Sequence, residues 1–264
     1  MSFLDVMGIS AGYGKETVLK DLSFSLEKGV LMGVIGANGS GKTTLLKALC
    51  GILPHQGGCI LDETVLEKQS PKQLARLVSY IPQRSGIAID ISALDVVLMG
   101  FNPRLGLLEH PTKQMKAAAM AALEQVGLAD KAEMNYLHLS EGQKQLCILA
   151  RTLVSDSKLL LLDEPESALD FRFRYQILSL LRSWVIQGAR SAIVTLHDPT
   201  LALNFCDQLL LLGDGGILGI LEPQKESLDK MEQMLSMVYG GISLHRCQNR
   251  SGQSQIVMVR EDTL

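Results

Sequence analysis

A glycine-rich octapeptide, GANGSGKT (36–43), places the strongest constraint on the fold of this chain. It matches the pattern G-x-x-x-x-G-K-[ST], in which glycines let successive backbone N–H groups turn towards a phosphate. The apolar run VLMGVIG (30–36) predicts a buried strand before it, and KTTLLKALCGIL (42–53) predicts a helix after it. Since the N-terminus of that helix faces the same anion, this order indicates an α/β fold that binds a nucleotide. A glycine-rich turn without a ligand is the disfavoured alternative.

Two side chains of this phosphate loop carry specific chemistry. Lys42 is expected to reach the β- and γ-phosphates, and the Thr43 hydroxyl is expected to bind Mg²⁺. The pattern therefore predicts ATP and Mg²⁺ as cofactors. The other expected phosphate contacts come from the rest of the loop and from the start of the helix: Gly36, Asn38, Gly39, Ser40, Gly41 and Thr44.

A second apolar strand ends in two carboxylates. The run LLLLDE (159–164) brings Asp163 and Glu164 to the carboxyl end of a predicted strand, where α/β sheets bind their ligands. We expect Asp163 to hold Mg²⁺ through water, and Glu164 to orient the attacking water as a general base. Without the phosphate loop, solvated acids at an ordinary strand end would be an equal interpretation.

Two more predicted strands are followed by polar side chains. Gln83 comes after ARLVSYIP (75–82), and is placed to contact both Mg²⁺ and the attacking water. His197 ends SAIVTLH (191–197), and is placed to hydrogen-bond the γ-phosphate. Either residue alone is more often a structural or surface group. Together with the phosphate loop and the two acids, they complete a set of catalytic candidates.

The pentapeptide LSEGQ (139–143) precedes the helical run QLCILARTLV. Ser140 and Gln143 form the S-x-x-Q pattern of a capping box, so the simplest interpretation is a well-capped helix. The other interpretation is an anion site made by the helix N-terminus, the Ser140 hydroxyl and the backbone at Gly142. Because the chain already has one phosphate loop, a second such site predicts two copies that pair head to tail with ATP between them.

Composition limits the setting of the protein. A formal net charge of −3 argues against a nucleic-acid partner held by a broad basic face. No apolar run approaches the ~18–20 residues that span a bilayer. The start MSFLDVMGIS has an early acid and no basic segment, so we expect no signal peptide and a cytosolic chain. The five cysteines lack CxxC spacing and are expected to be buried, reduced thiols rather than metal ligands.

Hydrophobic patterning predicts how the chain is organised. We predict a single α/β domain over residues 1–264, with a helical subdomain at about 85–155. The core and a β subdomain would then occupy about 1–84 and 156–264. The run QLLLLGDGGILGIL (208–221) predicts a hairpin around its DGG turn, and ISLHRC with QIVMVR predicts a last hairpin near the C-terminus.

Six motifs in a fixed order resemble the nucleotide-binding subunit of an ABC transporter, over roughly residues 3–245. They are GANGSGKT, Gln83, LSEGQ, LLLLDEP, SALD (167–170) and His197. The resemblance implies a P-loop NTPase (RecA-like) core with an antiparallel β subdomain and a helical subdomain. It also implies that Tyr13 stacks on adenine, and that ATP closes a dimer which hydrolysis reopens. Ser167 and Asp170 would belong to a loop that crosses this dimer.

The chain departs from the commoner family pattern at two positions. Glu141 stands where LSGGQ has glycine, and its side chain is expected to point away from a bound phosphate. Glu166 stands where threonine is common. Neither change removes a predicted catalytic group, so we expect an active ATPase.

Two stretches, ALDVVLMGFNPRLG (93–106) and VYGG (238–241), resemble the ATP-binding subunits of importers for iron chelates, haem, cobalamin and, in some relatives, molybdate. Phe101 stands where that group commonly has a basic residue. The resemblance implies a peripheral protein on the cytoplasmic face of the inner membrane, bound to permease subunits and served indirectly by an extracytoplasmic solute-binding protein. A soluble single-domain ABC ATPase, such as an iron–sulfur cluster assembly factor, is the second hypothesis. A non-hydrolysing binding module is disfavoured because the predicted catalytic residues are all present.

Overall fold

A computed structural model describes residues 2–83, 86–106, 108–167, 169–188 and 190–261. The strands in these ranges are β1 (Leu4–Tyr13), β2 (Glu16–Leu26), β3 (Leu31–Gly36), β4 (His55–Leu61), β5 (Thr64–Val65), β6 (Val78–Ile81), β7 (Leu159–Asp163), β8 (Ser191–Thr195), β9 (Gln208–Gly213), β10 (Gly216–Leu221), β11 (Ile242–Gln248) and β12 (Ser254–Arg260). The helices are α1 (Lys42–Leu49), α2 (Pro71–Leu77), α3 (Ala93–Leu98), α4 (Lys113–Gln125), α5 (Glu141–Ser155), α6 (Phe171–Gln187), α7 (Pro199–Phe205) and α8 (Leu228–Tyr239).

A six-stranded sheet in the order β10-β9-β3-β8-β7-β6 forms the centre of the fold. All neighbours pair in parallel except β10, which lies antiparallel at one edge. Strands β3, β7 and β8 are buried along their whole length, which explains their nearly uninterrupted apolar sequences. Since these strands run in the same direction, the residues that follow them meet at one edge of the sheet.

The two faces of this sheet belong to different hydrophobic clusters. Along β7, Leu160 and Leu162 join the cluster that contains the helices α3 to α6. Leu159 and Leu161 join the cluster that contains α1 and the second sheet. Successive strand residues point to opposite faces, so a single leucine run supplies both cores.

The second sheet is antiparallel, in the order β2-β1-β4-β5. Its strands β1 and β2 alternate buried and exposed residues, as a sheet with one covered face should. Its buried side packs on α1, where Leu45 and Leu49 share its cluster with Leu4 and Leu26. The predicted antiparallel β subdomain is therefore confirmed.

The stretch between β6 and β7 is mainly helical, as predicted. Helix α4 begins after Thr112, whose hydroxyl accepts a hydrogen bond from the backbone of Met115 at 3.2 Å. It ends before Gly127, which adopts a left-handed φ of 76°. Ala119 and Leu123 on its inner face are fully buried against α3 and α5. The α/β class and its P-loop NTPase architecture are confirmed; the proposed subdomain boundaries stay a prediction.

Two predicted boundaries were wrong. Residues 75–77 belong to the end of α2, and the strand predicted over 75–82 is limited to β6. A complete capping box between Ser70 and Gln73, with Pro71 in the first turn, starts α2, and this local signal outweighs the β-like apolar pattern. The helix predicted over 42–53 ends with α1, because the chain turns back at Gly51, where φ is +72°.

The C-terminal hairpin β11–β12 is formed as predicted and contacts α7. The Asn204 side chain makes two hydrogen bonds to the backbone of Ile256, one at 2.7 Å and one at 2.9 Å. The hairpin therefore anchors the helix that begins just after His197. Among the described residues, no helix combines the length and apolarity that a membrane crossing requires.

Candidate nucleotide site

The phosphate loop connects β3 to α1 in a conformation that requires glycine. Gly41 adopts a φ of 102°, and a Cβ there would lie 2.4 Å from the Leu19 side chain. A Cβ at Gly36 would lie 2.4 Å from the carbonyl oxygen of Leu212. No side chain caps α1, and its first turn has no acidic residue. Its first N–H groups therefore remain available to an anion.

Lys42 lies within this loop and is only 5% exposed. Its Nζ donates to the carbonyl oxygens of Gly36 at 2.9 Å and Ala37 at 3.3 Å. Burial lowers the pKa of Lys42, while the charges of Glu164 and Asp163 act in the opposite direction. A buried cation amid free N–H groups suits a polyphosphate.

A cavity of about 360 Å³ opens in front of the loop. The Ser40 hydroxyl is buried, and has no hydrogen-bond partner among the described residues. Tyr13 lines the cavity and is 48% exposed, which leaves its ring available for stacking. The cavity is lined by Tyr13, Glu16, Val18, Asn38, Gly39, Ser40, Gly41, Lys42, Thr43, Thr44 and Glu164. These observations fit a nucleotide whose phosphates lie on the loop.

Asp163 receives hydrogen bonds from three sides at the end of β7. Its Oδ1 accepts from Thr43 Oγ1 at 2.9 Å and from Thr195 Oγ1 at 3.0 Å. Its Oδ2 accepts from the Tyr80 hydroxyl at 3.2 Å. The pairing of a phosphate-loop hydroxyl with a buried carboxylate is a donor set that suits Mg²⁺. Tyr80 and Thr195 were not predicted; their only sequence signal is a polar residue near the end of an apolar strand.

Glu164 lies at the centre of the predicted catalytic set. Its Oε1 is 2.6 Å from Nε2 of His197, and its Oε2 accepts from Nε2 of Gln83 at 2.7 Å. Its backbone adopts a left-handed φ of 49°, and its N–H donates to Thr195 Oγ1 at 2.8 Å. The structure thus brings two side chains that are 114 positions apart, Gln83 and His197, to one carboxylate.

The segment after Glu164 makes further contacts within the chain. Gln83 also donates to Ser167 Oγ at 3.2 Å, and Asp170 caps α6 through Phe173 N at 3.0 Å. Glu166 is 2% exposed, and its Oε1 accepts from the backbone N–H of His197 at 3.0 Å. Sequence reasoning recognised Glu166 as unusual but did not predict this bond.

The LSEGQ segment begins α5, and its capping box is confirmed. Ser140 Oγ accepts from Gln143 N at 3.3 Å, and Gln143 Oε1 accepts from Ser140 N at 3.0 Å. A Cβ at Gly142 would lie 2.7 Å from the Phe173 ring, so packing inside the chain also requires this glycine. Glu141 forms an ion pair with Lys144 at 2.8 Å, and its side chain is 70% exposed.

The LSEGQ residues are separate from the phosphate loop within one chain. Of the hydrogen bonds between described residues, none joins Ser140, Gly142 or Gln143 to the loop, and none of the three lines its cavity. An indirect connection runs through Gln83, whose backbone oxygen accepts from Gln145 Nε2 at 3.1 Å and whose side chain donates to Glu164.

The cysteines follow the sequence expectation only in part. Cys59, Cys147 and Cys206 are buried, but Cys247 is exposed, so the expectation of burial was wrong there. Burial raises the pKa of Cys147 to about 12. Cys59 lies with His55 and Glu67 in a group whose potential ligand atoms are within 4.8 Å of one another. There Glu67 Oε1 accepts from Cys59 N at 2.7 Å and lies 3.3 Å from His55 Nε2.

Comparison with known proteins places this site in a family. Residues 19–167 match the family described as ABC transporter. YvrA of Bacillus subtilis, named an uncharacterized ABC transporter ATP-binding protein, is 34% identical over 234 residues. That alignment covers 88% of this chain and 52% of YvrA, so the chain spans about half the length of that relative. A protein of Helicobacter pylori (strain 26695), named a probable iron chelatin transport ATP-binding protein, is 35% identical over 218 residues, which cover 80% of this chain and 84% of that protein.

Solved structures agree with this assignment. A transporter described as of the metal-chelate type, in an inward-facing conformation, superposes with a TM-score of 0.82 and 28% identity over 99% of both chains. The chain belongs to the ABC transporter family. It is a nucleotide-binding ATPase. The resemblance noted from the motifs is thereby confirmed.

Proposed function

We propose that this protein is the ATP-hydrolysing subunit of an importer for an iron chelate, haem, cobalamin or a related metal chelate or oxyanion. The observation that carries the proposal is the convergence of Gln83 and His197 on Glu164, next to a phosphate loop made in the same chain. Two similar proteins support the substrate class: the Helicobacter pylori protein named for iron chelatin transport and the solved transporter of the metal-chelate type.

Each residue of the site has a proposed task. Lys42 and the loop N–H groups bind the phosphates, while Thr43, Asp163 and Gln83 hold Mg²⁺, partly through water. When bound, Mg²⁺ neutralises charge on the phosphoryl oxygens. The Glu164 carboxylate accepts a proton from the attacking water, which contributes about 10²–10⁴ in rate.

His197 contacts the Glu164 carboxyl oxygen that Gln83 does not contact, and is placed to act on the γ-phosphate. Its ring nitrogen lies against the Glu164 carboxylate, so one side chain orients the other.

If Glu164 is the base, Glu164→Gln should bind ATP normally and accumulate as an ATP-bound dimer in size-exclusion chromatography. Turnover by that variant at the wild-type rate would remove Glu164 from this role.

The second half of each site is proposed to come from a second copy of the chain. Ser140, Gly142 and Gln143 would then face the γ-phosphate of ATP held on the partner's loop, with adenine stacked on Tyr13. In support, the phosphate-loop cavity lacks these residues within a single chain. Ser167 and Asp170 would lie where the two copies cross.

A complementation experiment tests the shared site. Lys42→Ala and Ser140→Arg are each expected to be inactive, because the first damages the loop and the second damages the LSEGQ segment. In an equal mixture, a mixed dimer has one intact site, so about a quarter of wild-type sites should be restored. A mixture as inactive as its components would reject the head-to-tail arrangement.

The membrane partner is tested separately. A tagged protein purified from its own detergent-solubilised membranes should retain a many-helix permease in stoichiometric amount. An associated solute-binding protein could then be screened against iron chelates, haem, cobalamin and oxyanions. Recovery of soluble partners alone would instead support an assembly-factor ATPase with the same ATP chemistry.

A further inference from the structure

His197 is held at two points by one short segment of the chain. Glu164 Oε1 contacts the ring at Nε2, 2.6 Å away, and Glu166 Oε1 accepts from the backbone N–H at 3.0 Å. The two glutamates are separated by Pro165 alone. Glu166 thus contacts the backbone of the same residue whose ring contacts Glu164.

Two backbone hydrogen bonds hold the turn that carries Glu166. Ser167 N donates to the carbonyl oxygen of Glu164 at 3.2 Å, and Leu169 N donates to that of Glu166 at 3.1 Å. Since these turns fix the Glu166 Cα, the length of its side chain decides whether it reaches His197. A threonine hydroxyl is attached to Cβ, whereas Oε1 is attached to Cδ. From this backbone, the residue common in the family would end short of the His197 N–H.

The environment of the Glu166 side chain indicates that it does more than fill space in the core. The residue is 2% exposed, and its Oε2 is buried without a hydrogen-bond partner among the described residues. Burial raises the pKa of Glu166, the hydrogen bond from His197 acts against that shift, and the charge of Glu164 adds to it. A buried carboxyl group is costly unless its hydrogen bonds compensate. Between Glu166 and the rest of the described structure, the side-chain bond that the structure shows goes to the backbone of His197.

We propose that Glu166 is a positioning residue, which fixes His197 against Glu164 through the His197 backbone N–H. The inference rests on the roles proposed for Glu164 and His197. It assigns to Glu166 no contact with ATP or with the attacking water. Because reacting groups must be aligned closely, a small shift of the His197 loop should lower the rate of the chemical step and leave ATP binding nearly unchanged.

Three substitutions separate the hydrogen bond from the size and charge of the side chain. Glu166→Met keeps the approximate length but removes the acceptor, and Glu166→Thr introduces the common residue, which is too short. Both should lower kcat about tenfold, with KM for ATP changed less than about twofold. Glu166→Gln keeps an oxygen that can accept from His197 N, so its kcat should stay within about threefold of wild type. Glu124→Met, at an exposed position of α4, is the matched control and should be unchanged.

A double-mutant cycle decides whether Glu166 acts through His197. In the His197→Ala background, Glu166→Met should change kcat by less than about twofold, since the residue to be positioned is gone. Independent losses that multiply would overturn the proposal, as would a Glu166→Gln enzyme as slow as Glu166→Met. Thermal unfolding and titration with a fluorescent ATP analogue show that each variant is folded and binds nucleotide.

The failure of this inference can be told apart from failure of the proposed roles. If His197→Ala is slow and both Glu166→Met and Glu166→Thr are as fast as wild type, only the positioning role is wrong. If His197→Ala itself turns over at the wild-type rate, the role of His197 falls, and the role of Glu166 falls with it.

Discussion

The N-termini of α1 and α5 are the two helix ends proposed here to face ATP, and they are built in opposite ways. Helix α1 has no side-chain cap and no acid in its first turn, and its buried Lys42 adds a positive charge. Helix α5 has a complete capping box, and Glu141 adds a negative charge that Lys144 partly offsets. The first terminus is open to an anion, whereas the second already bonds the N–H groups of Ser140 and Gln143 within its capping box.

This difference indicates which terminus can bind ATP by itself. An uncapped helix end surrounded by glycines has its donors already aligned, so α1 can bind phosphate in a single chain. At α5, part of the donor capacity is used within the helix, and approach of a phosphate must overcome the charge of Glu141. Such a terminus suits a contact that forms only when a second copy presses ATP against it. Four experiments test this contrast.

The largest effect is expected from Lys42→Met. The change removes the buried cation from the open terminus and leaves α5 untouched, so hydrolysis should fall by about 10²–10³. Phosphate release at saturating Mg²⁺-ATP measures the loss. Lys47→Met, in the last turn of the same helix, is the control and should retain turnover. A Lys42→Met enzyme within tenfold of wild type would mean that the loop backbone alone activates the phosphate.

A matched pair of glycine substitutions gives the next effect. Gly41→Ala places a Cβ 2.4 Å from Leu19 and forces an alanine to a φ of 102°, so it should unfold or reshape the loop and abolish ATP binding. Gly142→Ala instead presses on the Phe173 ring, at 2.7 Å, and should lower stability by about 1–3 kcal/mol while isolated chains still bind ATP. Titration with a fluorescent ATP analogue and thermal unfolding distinguish the two. Equal loss of nucleotide binding in both variants would contradict the separate roles.

Both helix termini were predictable from sequence. The phosphate loop, the acids at the end of β7 and the α5 capping box are each encoded within a few neighbouring residues. The contacts of Tyr80 with Asp163 and of Gln145 with Gln83 join segments 83 and 62 positions apart, so no local pattern reports them. Helix α2 was not predicted, because its apolar residues resemble those of a strand. The capping box at its start was nevertheless recognisable in the sequence. Local sequence patterns therefore predict the capping and charge of each helix terminus. Its contacts with distant segments are set by the fold.

A smaller effect is expected from Ser140→Ala at the capped terminus. The loss of the cap should lower the free energy of unfolding by about 1 kcal/mol, because the Gln143 N–H loses its acceptor. ATP binding by isolated chains should not change, since Ser140 does not line the phosphate-loop cavity. Turnover should fall more steeply on dilution of the protein, because Ser140 belongs to the half of the site that is proposed to form the contact between copies. Ser227→Ala removes an equivalent cap from α8, and should reproduce the loss of stability without the dependence on concentration.

The smallest effect is expected from Glu141→Gln, which makes the two termini more alike in charge. Removal of the acid from the first turn of α5 should favour a phosphate there by about 0.3–1 kcal/mol, and thus strengthen each of the two ATP contacts of the proposed dimer by about twofold to fivefold. The gain should shrink as salt is added, since the Glu141 side chain is exposed and its charge is screened. Light scattering of the Glu164→Gln variant, which is proposed to hydrolyse ATP slowly, measures dimerisation with and without Glu141→Gln. Glu133→Gln, an exposed acid outside α5, controls for the change in net charge. A dimer weakened by Glu141→Gln would show instead that the pair of Glu141 with Lys144 holds the α5 terminus in its binding shape, and that its charge is not the obstacle.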